Sequence, residues 1–541
     1  MNNNSSNRRV LWLPIVAAVA LSIGLIMGFS INLRRPSAST RSTQSTSGSP
    51  SKIDLTLSLL KSYYLDPIDT DTVVENLMHE LMSQLDPHSM YIPAEDMQAV
   101  NEPLEGEFDG IGVVFNMTTD TVVVLNTVAG GPSYKAGILP GDRIITIDGD
   151  TVAGRKIDQE EIIGSLRGKR GTKVKVGIER ANVENLVDVE IVRDKIPLHS
   201  IDAAFMIRPK VGYIRLTSFA RTTHKEFLEA VERLKGEGME SLIFDLRSNS
   251  GGYLDQAILM TNEFLPEGKL MVYTEDRAGR RQSEYSRGNG TLTDLPLVVL
   301  IDDYSASSSE IVAGALQDND RGTIIGRRSF GKGLVQNQIP LADGSALRLT
   351  IARYYTPTGR CIQKPYTQGG SDYVFDIIDR YEHGEMFSAD SIRFADSLKF
   401  VTPGGRTVYG GGGIMPDIFV PIDTTDMTPY YYAATGLNVL YRYTLDYADR
   451  HREAINSIRT IDQLNRFLDS DSRLLDDFVA YAERKGVAPV AKEIATSKQL
   501  LTSMLRAYIA RNTELQDVGY FSQIIPIDET LTRALKELGA E

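Results

Sequence analysis

Between Val211 and Gly326 the chain alternates short, almost wholly apolar runs with amphipathic stretches, and this alternation limits the fold more than any other feature. "VGYIRLTSF", "SLIFDLR" and "PLVVLID" have the length and β-branched content of buried strands. "HKEFLEAVERLKGEG", between the first two, repeats Phe227, Ala230, Val231 and Leu234 along one helical face. Such a pattern predicts βα crossovers and a mostly parallel sheet. After Gly322, "TIIG" reads as a further strand, while "LVQNQIPL" and "SALRLTIARYYT" read as a hairpin closed by an "ADG" turn.

The flanks differ in period. Residues 53–85 predict two short amphipathic helices split at Asp66-Pro67 and ended by "DPHSMYIP". From about residue 107, "GIGVVF", "TVVVLNTV", "DRIITIDG" and "TKVKVGIER" are β-rich segments parted by turn residues. From Tyr430 onward the period is helical and carries no chemical motif, which predicts packing or oligomer contacts. A chain of 541 residues exceeds what one core accommodates, so several domains are expected.

Near the amino terminus, Arg8 and Arg9 precede "VLWLPIVAAVALSIGLIMGFSINL", and Arg34 and Arg35 follow it. At about 1.5 Å per helical residue this uncharged run spans a bilayer. No small-residue cleavage site closes it, so an uncleaved anchor is expected rather than a removed signal. Positive charge at both ends leaves orientation open. "RRPSASTRSTQSTSGSPSK" then has the composition of a flexible tether.

A formal net charge of −13 with no Lys/Arg run argues against nucleic acid as a partner. Cys361 is the single cysteine, which rules out an intrachain disulfide and a thiolate metal cluster. His79, His88, His199, His224, His383 and His451 are scattered without ligand spacing, so neither a metal, a cofactor nor a Ser-His-Asp site is expected.

The chemistry gathers in "YSASSSEIVAGALQDNDRG" and "GRRSFGKGLVQ". Ser307 to Glu310 spell a capping box at a helix start. Lys332 lies between Gly331 and Gly333, and the preceding spacing imitates a P-loop. The match fails because Gly333 stands where Ser or Thr would hold magnesium and a strand follows. The other reading is a general base, a lysine whose pKa is lowered by desolvation so that it takes a proton from serine. Lys332 and Gln336, read as i and i+4 of one strand, would share a face, and Gln336 would orient the amine. An oxyanion needs amide donors: the residue after a nucleophile commonly gives one, which is Ser308 if Ser307 is that nucleophile, and the loop with Gly251 and Gly252 in "FDLRSNSGGYLDQA" is the candidate for the other.

"SASSSEIVAGALQDNDRGTIIGRRSFGKGLVQ", with "DLRSNSGG" before it and "GRTVYGGGGIMPDI" after it, resembles the C-terminal processing, or tail-specific, proteases over roughly residues 53–420. The resemblance implies serine peptidases with a Ser/Lys pair: Ser307 as nucleophile, Lys332 as base, Gln336 as orienting amide and Asp318 as site support. Ser308 stands where the family usually has alanine. "GIGVVF" and "GPSYKAGILPGDRIITIDG" resemble a PDZ domain, which implies capture of a substrate carboxyl terminus by the loop Gly110, Ile111, Gly112 and Val113. The implied fold class is multidomain α/β: a membrane anchor (1–35), a linker (36–52), an N-terminal helical segment (53–104), a PDZ domain (105–195), a crotonase-like α/β protease core (196–424) and a helical C-terminal region (425–541). The implied protein is a single-pass enzyme of the bacterial inner membrane with its catalytic domain in the periplasm. It would cleave protein or peptide substrates with free C-termini, and a homo-oligomer or an adaptor partner stays open. An inactive PDZ scaffold and a Ser/Lys amidase of small substrates are the competing readings.

Overall fold

The computed structural model describes residues 51–540, apart from 118–119, 129, 181–182 and 367–369. The expected membrane anchor and nearly all of the linker lie outside the described residues. Among the described residues no helix is long and apolar enough to cross a membrane. Two units divide the chain, Met1–Asn76 and Leu77–Glu541. The helix Lys52–Tyr63 belongs to the first and opens on a capping box between Ser51 and Asp54. The helix Thr70–Ser83 crosses the boundary, and all that follows concerns the second unit.

A β-rich domain comes first. Its strands Val113–Asn116, Val122–Thr127, Arg143–Ile147, Lys173–Glu179 and Val187–Val192 form an antiparallel sheet in that spatial order. Val122, Val124, Ile144, Val174, Val176 and Ile178 point into one apolar core, as period-two alternation requires. The strands Glu107–Gly110 and Asp194–Pro197 pair antiparallel and close the domain where the chain enters and leaves it.

The main sheet has six strands: Ile201–Arg208, Val211–Leu216, Ser241–Asp245, Leu297–Ile301, Thr323–Gly326 and Ile418–Phe419. All neighbours are parallel except the first pair. The helices Thr223–Gly236, Leu254–Asn262 and Ser308–Asp318 cover one face, with Phe227, Phe244 and Phe264 in mutual ring contact at 5.4–5.9 Å. The predicted βα alternation is therefore present, and the predicted hairpin forms from Leu334–Pro340 and Ala346–Tyr355. A second sheet, which sequence periodicity did not separate, joins that hairpin to Met90–Ile92, Leu270–Asp276 and Arg281–Tyr285.

The other face of the main sheet is covered by the C-terminal region. Phe521, Ile525, Leu531 and Leu535, from the last helices, pack on Phe205, Tyr213, Ile243, Val298 and Leu300. A doubly buried parallel strand needs apolar cover on both sides, and the tail supplies the second layer. Polar ties fix it there: Arg247 reaches Asp528 at 2.9 Å and the fully buried Asp245 at 2.6 Å. Leu531 is wholly buried, so Leu531→Ala is expected to cost about 2–4 kcal/mol, measured as a loss in unfolding free energy in urea.

Candidate active site

Three loops leave the carboxyl ends of three adjacent parallel strands: 246–253 after Ser241–Asp245, 302–307 after Leu297–Ile301, and 327–333 after Thr323–Gly326. Open α/β sheets collect their sites at this edge, because the strand ends release neighbouring loops into one crevice.

The second loop turns sharply into the helix Ser308–Asp318, and Ser307 at the turn has φ 54° and ψ −111°. A non-glycine residue is strained there. The hydroxyls around it are committed elsewhere: Ser305 donates to the Leu246 carbonyl at 2.8 Å, Ser308 to Gly252 at 3.0 Å and Ser309 to Asn249 at 2.9 Å. Of the four serines, Ser307 is the one whose hydroxyl has no acceptor among the described residues. The other three stitch the turn to the glycine loop.

That loop approaches closely. A Cβ on Gly251 would lie 2.8 Å from Ser307 Cβ, and one on Gly252 would lie 2.3 Å from the Phe219 carbonyl oxygen. Both positions have φ above +100°, so glycine is required on two counts. The two amides differ. Gly251 N donates to Asn249 Oδ1 at 2.9 Å, so Gly251 spaces the site instead of supplying the amide expected of it. Gly252 N and Ser308 N have no acceptor among the described residues.

Lys332 sits in the third loop, two residues before the strand that begins at Leu334. The two-residue alternation expected to align Lys332 with Gln336 therefore does not apply, and a register shift falls between Val335 and Gln336 as well. Other bonds set the geometry. The buried Glu310 carboxylate accepts from Ser307 N at 2.8 Å, Lys332 N at 2.8 Å, Gly331 N at 2.7 Å and Ser329 Oγ at 2.5 Å. Tyr354 Oη lies 2.6 Å from the Lys332 carbonyl and 3.1 Å from that of Ser307. One acid and one phenol thus hold the backbones of Ser307 and Lys332 together. Burial pushes the Glu310 carboxyl up, against the hydrogen bonds it accepts. Ser329 Oγ also accepts from Ile414 N at 2.6 Å, and the three backbone N–H groups that donate to the Glu310 carboxylate oxygens favour its ionised form.

Burial, with Arg348 nearby, pushes the Lys332 amine down, while Glu310 and Asp86 act in the opposite direction. Beside it stands His88, pushed down to about 4 by burial and the charge of Lys332, with Nε2 2.8 Å from Tyr373 Oη. His88 and its "DPHS" turn carry no local sequence signal for this place, because their neighbours come from distant segments. The Asp-Pro signal marked only a turn.

Asp318 stands at the far end of the Ser308–Asp318 helix. It pairs with the fully buried Arg360 at 2.6 Å and accepts from Thr358, so its support is that of a core ion pair. In the β-rich domain, Gly110 ends the closing strand, Ile111 is buried, and Gly112 has φ 71°. The amides of Ile111 and Gly112 have no acceptor among the described residues. Val113 begins a strand paired on one side only, which leaves an edge for an added strand. Among the described residues no cluster of His, Cys, Asp and Glu is suited to a metal.

Residues 210–370 match peptidase family S41, residues 110–191 match a PDZ domain, and residues 430–513 match a family of unknown function. A carboxy-terminal-processing protease of Bartonella bacilliformis is 36% identical over 412 residues, 74% of this chain and 91% of the relative. The carboxy-terminal processing protease CtpA of Bacillus subtilis is 35% identical over 352 residues, 65% of this chain and 73% of the relative. The solved photosystem II D1 C-terminal processing protease covers 70% of this chain and 88% of its own at 26% identity, with a TM-score of 0.36. A parallel-sheet serine peptidase core with a PDZ domain before it is the class these observations define. The chain belongs to peptidase family S41 and is a serine peptidase of the carboxy-terminal processing type.

Glu310→Gln keeps one acceptor oxygen but turns amide hydrogens towards backbone donors. It is expected to cost on the order of 3 kcal/mol in stability and at least about a hundredfold in peptidase turnover, checked by denaturation and by reporter hydrolysis.

Proposed function

We propose that this peptidase captures protein carboxyl termini on its PDZ domain and cleaves peptide bonds through an acyl-enzyme on Ser307, with Lys332 as the proton carrier. The observation that carries the reading is the free Ser307 hydroxyl on a strained turn whose backbone is tied, through Glu310 and Tyr354, to that of Lys332.

Neutral Lys332 takes the Ser307 proton as Oγ attacks the substrate carbonyl carbon. The resulting oxyanion is received by the unpaired amides of Gly252 and Ser308. Collapse breaks the C–N bond, and Lys332 returns the proton to the departing amine. Water then attacks the Ser307 ester, giving its proton to Lys332; the bond between the acyl carbon and Ser307 Oγ breaks, Lys332 returns that proton to Oγ, and the new carboxyl terminus leaves. In the PDZ domain the amides of Ile111 and Gly112, which have no acceptor among the described residues, receive the substrate carboxylate, while the open edge of Val113–Asn116 pairs with its backbone.

In this reading the chain processes cell-envelope proteins. The apolar run between Arg9 and Arg34 anchors it in the bacterial inner membrane with the catalytic domain in the periplasm. The length and uncharged composition of the run support the anchor, and the periplasmic side follows from the cell-envelope reading, since the flanking charges favour neither orientation.

Two outcomes are expected. Turnover should rise with pH through a midpoint below that of an ordinary lysine, because only the neutral amine accepts a proton. Lys332→Arg should abolish it, since guanidinium stays protonated, and full activity of that variant, or of Ser307→Ala, overturns the mechanism. The PDZ domain is expected to gate the site as well as tether substrate. A non-cleavable peptide with a free carboxyl terminus should then accelerate hydrolysis of a separate short reporter, while its amidated twin should not. Equal rates at saturating peptide leave only the tether.

A further inference from the structure

The segment "DPHS", residues 86–89, closes on itself: Asp86 Oδ1 accepts from His88 N at 3.0 Å and Ser89 N at 3.1 Å, and Oδ2 accepts from Ser89 Oγ at 2.6 Å. A turn needs no more than that. Two further bonds dock it on the hairpin, from Thr350 Oγ1 to Asp86 Oδ1 at 2.9 Å and from Thr350 N to Ser89 Oγ at 3.1 Å. Thr350 is the strand partner of Gln336, because the register passes over Ile351 between Val335↔Ala352 and Gln336↔Thr350. Gln336 Nε2 lies 3.3 Å from Thr350 Oγ1.

The polarity of this chain follows from the number of hydrogens available. An ionised carboxylate only accepts, so the single Thr350 hydroxyl hydrogen goes to Asp86. Thr350 Oγ1 is left to accept, which Gln336 satisfies with Nε2 and not with Oε1. We propose that Asp86 and Thr350 are positioning residues that fix the direction of the Gln336 amide, leaving Oε1 as the acceptor for the Lys332 amine. The proposal rests on the Ser307/Lys332 reading. It gives the N-terminal turn, some 240 residues before the lysine in sequence, a part in aiming the base. Although burial opposes it, the bonds from Ser89, the His88 amide and Thr350 hold Asp86 below the usual carboxylate range, so it is ionised throughout the working range of a lysine base. The groups that face Lys332 are Glu310, Arg348, Asp86 and His88, and the imidazole is neutral above about pH 4.

The test uses the full chain with Thr350→Val, Thr350→Ser, Asp86→Asn and Ser307→Ala. Turnover of a short reporter is normalised to the number of serines labelled by a fluorophosphonate. Thr350→Val, which keeps the shape and loses the hydroxyl, is expected to lower kcat at least about tenfold with KM within about twofold, and Thr350→Ser to recover most of the loss. Asp86→Asn is expected to lower kcat and also to move the acid limb of the pH profile to lower pH, because a negative charge facing the ammonium is gone. A turn that only supports the fold would change the number of labelled sites and leave both quantities per site untouched. Wild-type turnover per site in Thr350→Val, or equal loss in Thr350→Ser, overturns the relay. If Thr350→Val does not fold, an unmoved limb in Asp86→Asn overturns it. An active Ser307→Ala protein overturns the underlying reading instead.

Discussion

The buried carboxylate of Glu310 is the interaction on which the catalytic arrangement depends. A carboxylate removed from water costs several kcal/mol unless every lone pair finds a donor, and here three backbone amides and one hydroxyl supply them. Those donors belong to two loops from different strands. Their requirement for one shared acceptor ties the backbone of Ser307 to that of Lys332. Tyr354 repeats the device on the carbonyl side.

The surroundings keep that clamp in place. Gly251 lets one loop lie against the Ser307 turn, and Gly252 lets it lie against the Phe219 backbone, at distances no side chain tolerates, while Ser305, Ser308 and Ser309 sew loop and turn together. Behind them the main sheet is held between three helices and the C-terminal region, whose last helices supply its second apolar cover. The same region touches the PDZ domain through Arg143 and Asp449 at 2.8 Å. Its helices therefore join two functional parts of the chain, a role that a motif search over residues 425–541 had no means of detecting.

Much of the fold was legible. The buried strands from Val211 to Gly326, the helix carrying Phe227 and Leu234, and the hairpin across Ala342-Asp343-Gly344 follow from period, length and turn chemistry, all of which are local. Ser307 and Lys332 stand out as candidates because glycines and small residues crowd around them in contiguous motifs. Three features were not legible. Alternation through "GKGLVQ" suggested that Lys332 and Gln336 share a strand face, but the strand starts at Leu334 and its register shifts at Gln336. The sequence offers Gly251 as an amide donor, but in the fold Asn249 Oδ1 accepts its hydrogen. His88 and Asp86 looked like parts of a turn because what gives them a further role, Lys332, Thr350 and Tyr373, lies hundreds of residues away.

The sequence by itself determined the βα order of the core and the β-rich domain before it, and it singled out the segments that carry Ser307 and Lys332, because each depends on residues close together along the chain. Tertiary structure decided which of four serines keeps a free hydroxyl, which amides remain unpaired, what aligns the lysine and what covers the second face of the sheet. Each of those is settled by hydrogen bonds or apolar contacts between segments far apart in sequence. A donor's partner is known only once the fold has brought the competing acceptors within reach.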